Sequence, residues 1–294
     1  MPSVDVSPEI SIAYDTFGDP ADPVVLLVMG FGAQLIAWDE DFCGTLAERG
    51  RYVIRFDNRD SGLSTKFDAH PVDMAEFIAT VSAGDMPAAL AMIPYRLQDM
   101  ADDAFGLLTA LGIERAHVVG ASMGGMIAQT MAISRPERVL TLTSMMSSTG
   151  EPECGRSTPE AQAALFAPKP ADRSGYVAVA DRALVWASRR YGDAAVLRDL
   201  AARSYDRAYY PAGTGRQLGA MILSGSRADA LQALSVPSLV IHGLDDTLIA
   251  PDGGRRTAEL IPGAELLLLP DMGHDRPREL WPELIRALAA HTTA

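Results

Sequence analysis

The sequence predicts an α/β fold in which a mostly parallel central sheet is flanked by helices and carries an inserted helical lid. Two observations predict it. A continuously apolar run at residues 24–29 reads as a strand covered on both faces, further strands are expected at residues 52–56, 139–146, 238–242 and 265–269, and helically periodic segments alternate with them, the repeat of a parallel sheet. Between residues 147 and 226 the strand signal vanishes and apolar residues fall only at helical spacing, as in an insertion.

At the start, Ile10, Ile12 and Tyr14 alternate with polar neighbours over residues 9–15, the pattern of a half-exposed edge strand, and Gly18-Asp19-Pro20 turns it. The buried strand at residues 24–29 ends in Met29-Gly30-Phe31-Gly32, and helical periodicity over residues 35–48 closes at Gly50. The next strand, residues 52–56, leaves through the polar loop Asp57-Asn58-Arg59-Asp60-Ser61-Gly62, completing a strand-helix-strand unit. The connection over residues 64–98 is too long for a plain loop. Two short helices are expected in it, at residues 73–82 and 87–93, either flanking a pocket mouth or covering the sheet edge. An amphipathic helix over residues 99–111 presents Met100, Ala104, Leu107, Leu108 and Leu111 on one face and stops at Gly112.

An apolar run beginning at His117 then enters Gly120-Ala121-Ser122-Met123-Gly124, and an apolar-periodic segment over residues 126–132 leaves it, so a strand, a sharp turn and a helix are expected. Residues 1–146 and 227–294 are assigned to the core domain and residues 147–226 to the lid. Lid helices are expected at residues 159–166, 176–190 and 194–207. Trp186, Tyr205, Tyr209 and Tyr210 either line a cavity or pack the lid's own small core. Helices at residues 255–260 and 280–290 flank the last strand.

Composition narrows the function. The 294 residues are 48% hydrophobic, enough for one large core or two modest ones, and the strand and helix alternation favours one main domain with an insertion. A net charge of -13 argues against nucleic acid and against anionic membrane surfaces. Cys43 and Cys154, the only cysteines, form no C-x-x-C, and no two histidines stand at metal-ligand spacing, so no metal is expected. With no basic-then-apolar leader pattern and no run of bilayer length, a cytoplasmic location is expected.

In a G-x-S-x-G turn the serine sits in a strained backbone conformation, and Gly120 and Gly124 spare the closing strand and helix a collision. Ser122 then projects beyond the strand's carboxyl end, near the N–H groups of the following helix. A serine hydroxyl is a weak nucleophile, so it needs a base and a carboxylate to hold that base in the right tautomer. Asp246 and His274 each follow the carboxyl end of an expected parallel strand, where residues from separate loops converge. Asp245 and Asp275 are rivals of the same charge. The other histidines are worse placed: His70 precedes a proline, His117 opens a strand, His242 ends one and His291 lies near the terminus. For the oxyanion, the backbone N–H groups of Met123 and Phe31 are in position, with Gly30 and Gly32 letting the loop approach. A dinucleotide fingerprint is not formed, because Leu35 stands where the third glycine would be.

These residues, with Arg55-Phe56-Asp57-Asn58-Arg59-Asp60-Ser61-Gly62-Leu63-Ser64, His242-Gly243-Leu244-Asp245-Asp246 and Met272-Gly273-His274, resemble the α/β-hydrolase superfamily over nearly all of the chain outside the lid. Phe17-Gly18-Asp19-Pro20-Ala21-Asp22-Pro23 with Leu27-Val28-Met29-Gly30 is similar to the branch that includes aclacinomycin methylesterase and many bacterial carboxylesterases. The resemblance implies a cofactor-independent serine esterase with Ser122 as nucleophile, His274 as base, Phe31 and Met123 as oxyanion donors, and Asp246 as orienting acid, three residues after Gly243. Met29 departs from it, standing where many relatives carry a histidine that braces the loop. Haloalkane dehalogenases and epoxide hydrolases share the loop at residues 57–64 but use an aspartate nucleophile, and Ser122 points away from them.

An apolar small-molecule ester is the expected partner, with Gly30, Phe31, Met123, Met145, Met146, Trp186 and Tyr209 as candidate pocket residues; Met145 and Met146 suit plain packing equally well. A cofactor-free perhydrolase or haloperoxidase would share the triad, and a catalytically silent binding protein would not need it intact.

Overall fold

The computed structural model describes residues 1–293. Its strands are β1 (Ser3–Ser7), β2 (Ile10–Phe17), β3 (Val24–Val28), β4 (Tyr52–Phe56), β5 (Ala116–Ala121), β6 (Val139–Met145), β7 (Ser238–Gly243) and β8 (Glu265–Leu269). They form one sheet in the order β1-β2-β4-β3-β5-β6-β7-β8. From β4 to β8 every neighbouring pair is parallel, while β2 meets both β1 and β4 antiparallel.

Successive strand residues point to opposite faces, so an uninterrupted apolar run feeds two cores at once. Leu26, Val28, Ile54, Phe56 and Val118 pack on one face in a cluster that includes Leu107 and Leu108 of helix Leu97–Ala110 and Ile127 and Met131 of helix Met123–Ser134. Val25, Leu27, Val53, Val119 and Ile241 pack on the other with Phe42 of helix Glu40–Ala47 and Leu284 and Leu288 of helix Trp281–His291. Each fully buried side chain of this kind stabilises the fold by about 1.5–3 kcal/mol. No helix among the described residues is long and apolar enough to cross a membrane.

The structure differs from the sequence reading in four places. β1 takes the sheet edge, pairing Val4 with Ile12, so β2 is an interior strand. The expected helix over residues 35–48 divides into a short turn, Leu35–Ala37, and helix Glu40–Ala47, because the Asp39 carboxylate caps the latter by accepting the Asp41 N–H at 2.9 Å. Between β6 and β7 lie helices Pro159–Phe166, Arg173–Ala178, Ala194–Ala208 and Ala212–Ser224 and no strand among the described residues. The helix expected over residues 176–190 begins earlier, capped by Asp172, and does not reach Ser188, whose N–H goes to the Asp275 carboxylate at 3.0 Å. Helix Ala212–Ser224 was hidden by its glycines; Gly213 is required there because a Cβ would collide with the Asp60 carbonyl oxygen.

Candidate active site

All the sequence-predicted site loops gather at one edge of the sheet, beyond the carboxyl ends of β3, β5, β7 and β8. Ser122 joins β5 to helix Met123–Ser134 with φ 58° and ψ -123°, a conformation that non-glycine residues rarely adopt. Three backbone contacts hold it there: its N–H donates to Met145 O at 2.9 Å, and its carbonyl accepts from Ser147 Oγ at 2.8 Å and from the Gly125 N–H at 2.9 Å. The glycines fill their expected role. A Cβ on Gly120 would collide with the Gly124 carbonyl, and one on Gly124 with the Val28 carbonyl.

The loop after β3 closes on the serine. A Cβ on Gly30 would stand 3.0 Å from Ser122 Cβ and 3.5 Å from its Oγ, so only glycine lets this backbone come so near. Ala33 N–H donates to Gly30 O at 3.3 Å, closing a four-residue turn, and Gly32 sits at φ 64°. The N–H groups of Phe31 and Met123 have no hydrogen-bond acceptor among the described residues. The Asn58 side-chain amide donates to Met29 O at 2.8 Å, just before this turn. Asp57 accepts from the Leu35 N–H at 2.7 Å and Ser61 Oγ donates to Ala33 O at 2.6 Å.

His274 Nδ1 donates to Asp246 Oδ2 at 2.7 Å. Asp246 Oδ1 accepts from the N–H groups of Leu248 and Ile249, both at 2.9 Å. Burial on its own would raise the Asp246 carboxyl, but the facing His274 charge and the hydrogen bonds from His242 and His274 hold it down to about 2. The rival acids are engaged elsewhere. Asp245 accepts from the Arg189 N–H at 3.2 Å, and Asp275 accepts from the N–H groups of Ser188 and Gly273. Burial pushes the Asp275 carboxyl up, against those two donors. No hydrogen bond joins Ser122 Oγ to His274 among the described residues, so the structure pairs Asp246 with His274 and leaves Ser122 apart on the same edge. Such contacts commonly tighten only when substrate binds.

The remaining candidates separate. Met145 and Met146 are fully buried in the packed cluster with Met29 and Ile241, and Ser122 touches Met145 through its backbone. Tyr209 stacks on Tyr205 at 4.6 Å and donates from its hydroxyl to Pro170 O at 2.9 Å; these contacts are internal to the inserted helices. Trp186 reaches the site through its backbone, its carbonyl accepting the His274 N–H at 2.6 Å. Sequence reasoning missed Asn58, Ser147 and Gln217, polar residues whose partners lie far along the chain, and His242, whose partners are four and seven residues on.

A model of the alpha/beta hydrolase fold matches residues 23–275. The chain is 29% identical to rhodomycin D methylesterase DauP of Streptomyces sp. (strain C5) and 28% identical to rhodomycin D methylesterase DnrP of Streptomyces peucetius, in both cases over 97% of this chain and 96% of the relative. Among solved structures, the enol-lactonase from Burkholderia xenovorans LB400 superposes with a TM-score of 0.74 at 23% identity, covering all of both chains. With the sheet order, the strained Ser122 turn and the family match in agreement, the chain belongs to the alpha/beta-hydrolase fold family.

Proposed function

We propose that this protein hydrolyses carboxylic esters through an acyl-enzyme on Ser122. The observation that carries the reading is the 2.7 Å pairing of His274 Nδ1 with Asp246 at the sheet edge where Ser122 stands in its strained turn. With its Nδ1 proton held by Asp246, a neutral His274 has a free lone pair on Nε2 for the Ser122 proton. Ser122 Oγ attacks the ester carbonyl, and the oxyanion accepts from the N–H groups of Phe31 and Met123. His274 then gives its proton to the departing alcohol. Water, deprotonated by the same imidazole, releases the acid and restores Ser122. No cofactor enters this scheme.

Two relatives named as methylesterases support an ester of small alcohol. Residues 147–226 act as a cap on the core of residues 1–146 and 227–294. Support for a cap comes from the way its segment at residues 185–189 is stitched to the acid and base loops: Thr247 Oγ1 donates to Val185 O at 2.8 Å, besides the Trp186, Ser188 and Arg189 contacts above.

The test is Ser122→Ala with a fluorophosphonate probe. Loss of a triad nucleophile lowers turnover by as much as roughly a millionfold, so the folded variant should be inert toward p-nitrophenyl acetate. The wild type should carry a single phosphonyl adduct, on Ser122. Turnover by the folded variant, or no adduct on the wild type, rules the mechanism out.

A further inference from the structure

We propose that Gln217, on helix Ala212–Ser224, is a positioning residue that holds the Gly30–Ala33 turn so that the Phe31 N–H faces the reacting carbonyl. This rests on the esterase reading above. Gln217 is 1% exposed and lies 185 residues from the turn it touches. Its Oε1 accepts the Gly32 N–H at 2.9 Å, and its Nε2 donates to Arg59 O at 2.9 Å. The amide orientation is thereby fixed: a flipped side chain would set NH2 against N–H and oxygen against oxygen.

The turn needs such a brace. Of its two central residues only Gly32 has a positive φ, at 64°, which with the Ala33-to-Gly30 bond makes it a type II turn. In that turn the middle peptide can rotate to the type I form, because glycine accepts either sign of φ. Core residues hold only its ends: Asn58 at Met29, Ser61 at Ala33 and Asp57 at Leu35. Gln217 holds the middle, through the Phe31–Gly32 peptide whose rotation would change the turn; the Phe31 N–H lies on the adjoining Gly30–Phe31 peptide and is steadied through it.

Helix Ala212–Ser224 is well anchored for the purpose. Arg216, one residue earlier, forms a bidentate pair with Asp60 at 2.7 and 2.9 Å, both side chains almost wholly buried, and Tyr95 donates to the same carboxylate at 2.7 Å. Thr214 also packs on Gly32, its methyl 3.1 Å from where a Cβ on that glycine would be. The oxyanion turn thus takes its central support from the segment between β6 and β7.

Gln217→Met keeps length and removes both the acceptor for Gly32 and the donor to Arg59. With p-nitrophenyl acetate, the Met variant should lose roughly 10- to 100-fold in kcat, the scale of a 1 Å misplacement, with KM nearly unchanged. Affinity for a trifluoromethyl ketone, which forms a tetrahedral oxyanion adduct, should fall in the same proportion as kcat/KM. Should Gln217→Met not fold, Gln217→Asn withdraws the acceptor by one methylene and must show the same loss. Wild-type kcat and ketone affinity in a folded Met or Asn variant overturn the proposal. If the wild type labels on Ser122 while these variants are unaffected, only this inference fails; if the wild type does not label, both readings fail.

Discussion

His242 stands behind Asp246, its Nε2 3.4 Å from the same Oδ2 that accepts from His274. The carboxylate is thus flanked by two imidazoles, one on the face toward the serine side and one from the end of β7. His242 Nε2 also donates to Ile249 O at 2.8 Å; a carbonyl only accepts, so the proton is on Nε2. Its Nδ1 is buried without a hydrogen-bond partner among the described residues. Replacing His242 with Phe should strip the Ile249 carbonyl of its donor and destabilise the fold by about 1–3 kcal/mol. Urea unfolding measures it, and an unchanged midpoint would mean the loop holds Asp246 without this ring.

Acid should weaken the same cluster. The Asp246 carboxyl lies at about 2 in the folded protein, below the ordinary aspartate value of about 3.9. A depressed carboxyl contributes stability that is complete above the unfolded value and is lost as pH falls toward the folded one. The stability gap between wild type and Asp246→Asn should therefore shrink between about pH 4 and about pH 2 and stay constant above pH 5. Urea midpoints of both proteins across that range test it. A gap independent of pH would mean that His274 and His242 do not bias Asp246.

Tyr209 and Trp186, which the sequence offers as equivalent pocket residues, should behave differently. Tyr209 belongs to a cluster with Tyr205 and Tyr176, the last meeting it edge-on at 5.4 Å. Tyr209→Ala should cost about 2 kcal/mol through lost packing and lower turnover of small and bulky esters alike. Trp186→Ala keeps the carbonyl that receives the His274 N–H, so turnover of a small acetate should survive while selectivity against bulky esters shifts. Paired assays on acetate and bulky acyl esters separate the two outcomes.

The legible parts of this protein were those fixed by local chemistry. β3 to β8 were legible because strands covered by helices on both faces are rich in apolar residues, uninterrupted in β3 and broken only by a few polar residues such as Arg55 and Thr143 in others. The Ser122 turn was legible because its two glycines answer a steric demand within five residues. β1 was not, since Ser3, Asp5 and Ser7 belong to a short edge whose only signal is Val4 and Val6. Gln217 was illegible for a different reason: a lone amide in a glycine-rich helix acquires meaning only when Gly32 arrives from elsewhere, while His242, four residues before Asp246, closes a strand and shows its side-chain direction only in the folded β7 loop. The break in the helix expected over residues 176–190 likewise depends on Asp275, some 87 residues away from Ser188.

The adjacent acids Asp245 and Asp246, with Asp275, provide the sharpest test of the site, because three carboxylates crowd one imidazole and only one meets it. Asp246 faces His274 Nδ1 at 2.7 Å, while Asp245 turns to Arg189, accepting its N–H at 3.2 Å with the guanidinium 3.7 Å away. Exchanging the orienting acid for asparagine preserves size but favours the wrong imidazole tautomer, a loss of roughly ten-thousandfold in a comparable triad. Asp246→Asn should fall by that order in kcat, and Asp245→Asn by about tenfold or less, as befits a change in local electrostatics. Asp275→Asn should act through structure instead. Half of the acceptor set for the Ser188 and Gly273 N–H groups would become a donor, loosening the 185–189 segment from the base loop at a cost of about 1–3 kcal/mol, with a lower melting temperature and only a modest change in rate. Steady-state kinetics and thermal melts on the three variants give a pattern that no other assignment shares: reversal of Asp245 and Asp246 would shift the β7 loop by one residue, and a kcat collapse in Asp275→Asn alone would make that carboxylate the partner of His274.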